Sequence, residues 1–107
     1  MKQYTTPEQT AKLIELGFEE PKGLADAEPS SGKWVREAYS IGELLSFLPE
    51  NIAKENEMPS TLNISLMNGE WLVEYADFLG ADFSFYSIEV IDAIFDMCVI
   101  LKEEGVI

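Results

Sequence analysis

The chain has 107 residues, of which 20 are acidic and 7 basic, and it contains no histidine. A length of this order builds one hydrophobic core, which excludes two independent domains, so residues 1–107 are expected to fold as a single domain. The formal charge of −13 repels nucleic acid and anionic membranes; with no leader-like start and no run near the ~20 apolar residues that span a bilayer, the sequence points to a cytoplasmic protein.

The absence of histidine excludes catalytic triads, Cys–His dyads and the usual zinc sites. The lone cysteine, Cys98, cannot form an internal disulfide, and its apolar surroundings predict a buried thiol that packs as a small hydrophobe. Charge is also uneven. Residues 1–54 carry nine acids and six bases, whereas residues 55–107 carry eleven acids and Lys102 as their single base.

Thr6-Pro7-Glu8-Gln9 opens a first helix over 7–16, with Thr6 as N-cap, Pro7 at the first helical position and Gln9 completing a capping box. Its inward stripe is Thr10, Leu13, Ile14 and Gly17, with Gly17 placed to end the helix in a left-handed conformation and Phe18 to close back on Leu13. Residues 19–32 are rich in Pro, Gly, Ser and acids and read as a surface loop. Residues 33–39, with Trp34 and Val35, read as a candidate third strand.

Ser40 and Glu43 form a second capping box, bracketed by Tyr39 and Leu44 as a hydrophobic staple, which starts a helix over 41–48. Ile41, Leu44, Leu45 and Leu48 make its apolar stripe, and Pro49 ends it. Residues 50–60 are polar, carry Pro59 and read as a loop with room for a turn of helix.

Asn68-Gly69 between two alternating runs signals a two-residue hairpin over 61–76. That turn pairs Leu66 with Trp71, Ile64 with Val73 and Leu62 with Tyr75, placing all six on one sheet face. Met67 and Leu72 then fall on the opposite face with no evident reason. Residues 77–86 show no consistent period and read as a connection that tucks its aromatics into the core. Ser87 is expected to cap a long helix over 88–104 that ends at Gly105, with Val106 placed against Leu101. Ile91, Ile94, Phe95, Cys98 and Leu101 form its main stripe, widened by Val90, Ala93, Met97 and Ile100.

Glu89, Asp92 and Asp96 share one face of this helix, so their carboxylates could gather a hard divalent cation. The residue spacing of a calcium loop is missing, and a solvated helix face is the favoured reading. No carboxylate pair stands out for glycoside hydrolysis, and no glycine belongs to a phosphate-binding motif. Trp34, Trp71, Tyr75 and the phenylalanines of 78–86 could form a stacking platform, but the basic residues that would accompany nucleic-acid binding are missing, which favours core packing. No catalytic, cofactor-binding or metal-binding residue is assigned.

In Thr6-Pro7-Glu8-Gln9 through Phe18, in 39–48, in 63–75 and from Ser87 to the Lys102-Glu103-Glu104-Gly105 ending, the chain resembles small uncharacterised proteins from phage and prophage regions of gut bacteria. The resemblance implies a phage-derived cytosolic protein and carries over no functional residue. The expected architecture is α+β: three helices on one face of a small antiparallel sheet, with the long helix lying across Leu62, Ile64, Leu66, Trp71, Val73 and Tyr75. The expected role is a non-enzymatic module that binds a protein partner, without direct nucleic-acid or membrane binding. An acidic mimic of nucleic acid that blocks a DNA-binding protein is the alternative, and a carboxylate-dependent hydrolase the second alternative.

Overall fold

The computed structural model describes residues 2–26, 35–54 and 57–107. Both capping boxes form. Thr6 Oγ1 accepts from Gln9 N at 3.1 Å and the Gln9 carboxamide oxygen accepts from Thr6 N at 2.9 Å, opening α1 (Pro7–Glu15). Ser40 Oγ accepts from Glu43 N at 3.1 Å and Glu43 Oε1 from Ser40 N at 3.3 Å, opening α2 (Ile41–Phe47). Each arrangement satisfies backbone donors that the first helical turn leaves without partners.

Helix α1 ends one residue short of the expected 16. Gly17 takes φ 98°, Gly17 N donates to Ile14 O at 3.0 Å and Phe18 N donates to Leu13 O at 3.1 Å, which is the Schellman pattern. Thr10 and Leu13 face inward as expected, but Ile14, 42% exposed, and the exposed Gly17 do not. Helix α2 stops at Phe47 because Leu48 turns to extended backbone ahead of Pro49.

The described residues also form six strands: β1 (Gly23–Asp26), β2 (Val35–Ala38), β3 (Asn51–Lys54), β4 (Glu57–Met67), β5 (Glu70–Asp77) and β6 (Gly80–Ser87). Strands β1 and β2 pair antiparallel in a sheet of their own, while the other four form an antiparallel sheet in the order β3-β4-β5-β6. The β4–β5 register is the expected one: Leu66 opposite Trp71, Ile64 opposite Val73 and Leu62 opposite Tyr75. Asn68 and Gly69 both take positive φ, 51° and 80°, as a type I′ turn requires.

Four expectations need correction. Part of the 19–32 segment is a strand, β1, whose partner β2 is therefore not a third strand beside the hairpin; Trp34 lies outside the described residues. Within 50–60, β3 and the start of β4 pair, and Pro59 sits between the Ile52–Ser60 and Lys54–Glu57 pairs, where the register shifts. An irregular edge tolerates a proline that cannot donate to a ladder. The 77–86 segment is the end of β5, a turn and strand β6, and the turn residues Phe78 and Leu79 are 77% and 78% exposed rather than tucked in. Finally, α3 (Val90–Glu103) begins two residues late, with Glu89 as its N-cap. Ser87 cannot serve because it pairs with Trp71 in β6; its Oγ accepts from Glu89 N at 3.2 Å instead.

Helix α3 closes as expected, with Gly105 at φ 75° and Val106 N donating to Leu101 O at 2.8 Å. It packs on β5 and β6, α2 packs on α3, and α1 meets β2, so the helices do not lie side by side on the sheet. Leu13, Tyr39, Leu44, Val73, Tyr75, Ile91, Met97, Cys98 and Leu101 are fully buried in one continuous core. Tyr75 supplies much of it and satisfies its own hydroxyl by donating to Pro49 O at 2.6 Å.

Candidate interaction surface

Alternation along the paired strands assigns each side chain to a face. The inner face, under α3, carries Val73 and Tyr75 with Phe83 and Phe85 half-buried beside them. Toward the Asn68-Gly69 turn this cover fades: Trp71 is half-buried and Leu66 is 58% exposed, because α3 packs mainly on β5 and β6.

The outer face divides into two halves. Ser65, Leu72 and Tyr86 form one cross-strand row, and Met67 pairs with Glu70 in the next. Met67 is 54% and Tyr86 60% exposed, while Leu72 on the strand between theirs is 6% exposed; Ile88, just beyond β6, is 75% exposed. Nearer the other end, Asn63, Glu74 and Ser84 make a polar row in which Asn63 Nδ2 donates to Glu74 Oε1 at 3.2 Å. Leu72 and Met67, unexplained in the sequence, thus belong to an apolar half-face completed by Tyr86. Tyr86 escaped sequence reasoning because aromatic residues on both faces of β6 hid its alternation. The usable signal was Phe83 and Phe85 against Ser84 and Tyr86.

The carboxylates of the α3 face do not gather around a common centre. Glu89 Oε2 accepts from Lys2 N at 2.9 Å. Asp92 Oδ1 accepts from Lys2 Nζ at 2.5 Å and Gln9 Nε2 at 2.9 Å. Burial pushes the Asp92 carboxyl up, but these hydrogen bonds and the Lys2 charge outweigh it and hold the group below its ordinary range. Asp96 is pushed up, by burial first and by Asp92 second. Divergent carboxyls can mark an acid–base pair, yet neither residue lines the 440 Å³ cleft or the 290 Å³ hollow in this structure. No group of three metal-ligating side chains occurs among the described residues.

Cys98 is fully buried, its Sγ 3.6 Å from Leu44 O, and burial pushes its thiol up to about 12. That combination makes it a packing residue and a poor nucleophile. Trp71, Tyr75, Phe83 and Phe85 pack against or within the core, so they form no open stacking platform. Among the described residues no helix is long and apolar enough to cross a membrane. Comparison with known proteins finds no match to a family model, to a curated protein or to a solved structure.

Proposed function

We propose that this chain is a non-enzymatic, cytoplasmic protein-interaction module of phage or prophage origin, and that it engages its partner through the apolar half of the outer sheet face. The observation that carries the reading is the exposure of Met67 and Tyr86 about Leu72 on the face opposite α3. Contiguous exposed apolar side chains are costly to leave in water, and with a polar border they characterise protein-docking surfaces. Here the border is Glu70, Glu74, Asn63 and Ser84. Tyr86 has the amphipathic character of an interface anchor.

A photo-crosslinking residue at position 86 tests this. It is expected to trap a discrete protein adduct in cells, and the same residue at position 37, on the exposed Glu37 of β2, is expected to trap none. Tyr86→Lys should weaken capture at least about tenfold while leaving the far-UV circular dichroism unchanged. Equal trapping from both positions would remove the outer face from consideration.

The charge distribution supports a second reading, the acidic mimic that occupies the basic groove of a DNA-binding protein. Eleven acids against Lys102 in residues 55–107 motivate it. In that case capture should weaken steeply between low and high salt and compete with duplex DNA. Capture that duplex DNA leaves untouched sinks the mimic.

A further inference from the structure

The C-terminal ends of α1, α2 and α3 meet at one cleft of about 440 Å³, lined by Phe18 and Glu19 after α1, Ser46 and Phe47 on α2, Lys102 in the last turn of α3 and Ile107 beyond it. Its volume falls in the range of small-ligand pockets, roughly 300–1,000 Å³. The end of a helix presents carbonyl groups without intrahelical partners and carries partial negative charge. Here most of those carbonyls accept capping bonds, so the negative character of the lining comes mainly from the exposed Glu19, within a chain whose formal charge is −13. Burial first, then Glu43 and Glu20, push the Tyr39 hydroxyl up to about 12.

The wall of the cleft is aromatic. The Phe18 and Phe47 ring centroids lie 5.0 Å apart at 43°, and Tyr39 braces Phe47 from behind at 5.7 Å and 75°. An ammonium already rests on this wall: Lys102 Nζ lies 5.2 Å from the Phe18 centroid. Aromatic faces attract cations through their quadrupole, more strongly where water is partly excluded. Lys102, the one cation in the lining, is engaged with a ring and offset by Glu19 in a chain of formal charge −13, so an anion is disfavoured here.

From these observations we propose that the cleft binds an organic ammonium group, held on the Phe18–Phe47 wall in competition with the protein's own Lys102. The site shares no residue with the outer sheet face, so it stands or fails independently of the interaction reading. Two sources can supply the group: a small free cation, or a lysine side chain of another protein.

The test titrates choline into the full chain while following the ring resonances of Phe18 and Phe47. 3,3-Dimethyl-1-butanol, the uncharged isostere of choline, serves as control. Choline is expected to shift both rings saturably and the neutral isostere to bind about tenfold more weakly. Lys102→Met keeps the stem, removes the internal competitor and should tighten choline several-fold. Phe47→Leu should weaken choline about tenfold with the circular dichroism unchanged. A peptide bearing one trimethyllysine separates the sources: tighter binding of the peptide assigns the group to a partner chain, and tighter binding of choline to a free cation. Equal affinity for choline and its isostere, or choline binding that Lys102→Met weakens, overturns the proposal. The lysine variant alters a half-exposed side chain, so the test survives a failure of Phe47→Leu to fold.

Discussion

Asp92 and Asp96 stand one helical turn apart on α3, and their carboxyl groups are pushed in opposite directions. Asp92 has Lys2 and Gln9 to stabilise its charge, whereas Asp96 is partly buried beside a neighbour of like charge. The Asp92 group, held below its ordinary 3.8, contributes stability that is present above that value and lost as pH falls through the lower folded value. For Asp96 the sign reverses: its ionised form is disfavoured in the fold, so its contribution declines as pH rises through and beyond 3.8. At pH 7, Asp92→Asn should therefore lower the urea midpoint, by an amount equivalent to about 0.5–1 kcal/mol, and Asp96→Asn should raise it. Both differences should shrink at pH 3.

Tyr75→Phe removes the bond to Pro49 O while keeping the buried ring. The expected loss is about 1–2 kcal/mol, from the bond and from the carbonyl left without it. In the wild type, burial first and then Cys98 push the Tyr75 hydroxyl up to about 12. A protonated hydroxyl is thus favoured in the fold, so stability is intact below the ordinary 10 and declines as pH rises from 10 toward about 12. Alkaline denaturation followed by circular dichroism and tyrosine absorbance should show this decline, reduced in the Phe variant.

Cys98 offers a direct measure of opening. Fully buried and with its thiol pushed up to about 12, it should react with an aromatic disulfide reagent only when the core opens. Labelling at pH 8 should be slower than for a free thiol by several orders of magnitude and should accelerate with urea in step with global unfolding. Rapid labelling without denaturant would contradict the packing of α3 against α2.

Local rules were legible wherever the partners lie close in sequence. Thr6 with Gln9, Ser40 with Glu43, the Asn68-Gly69 register and the endings at Gly17 and Gly105 all involve neighbours within a few residues or a fixed alternation. Strand β1 was not legible, because what holds its start is distant: the Glu43 carboxylate accepts from Lys22 N at 2.9 Å and from Gly23 N at 3.1 Å. Burial pushes that carboxyl up, but the backbone donors outweigh it and hold the group low. Strand β6 was hidden for a different reason. The register shift at Tyr75–Ala76 leaves Asp82 between the Ala81 and Phe83 pairings, so the period breaks inside the strand. The outer face was half legible: Met67 and Leu72 could be placed on it, but Tyr86 needed β6.

The tie between Lys2 and Asp92 joins residues 90 positions apart, whereas the β4–β5 turn closes over two residues. Loop closure costs more entropy as the loop lengthens, so the hairpin is available early and the amino-terminal strap can fasten only after α3 is in place. A contact made after the rate-limiting step leaves the folding rate alone and appears in the unfolding rate. Lys2→Met is therefore expected to steepen neither arm of the chevron but to raise the unfolding arm by a few-fold, with the folding arm unmoved. On that basis the strap is a latch on the finished fold: it governs how long the native state persists and has no part in how quickly it is reached.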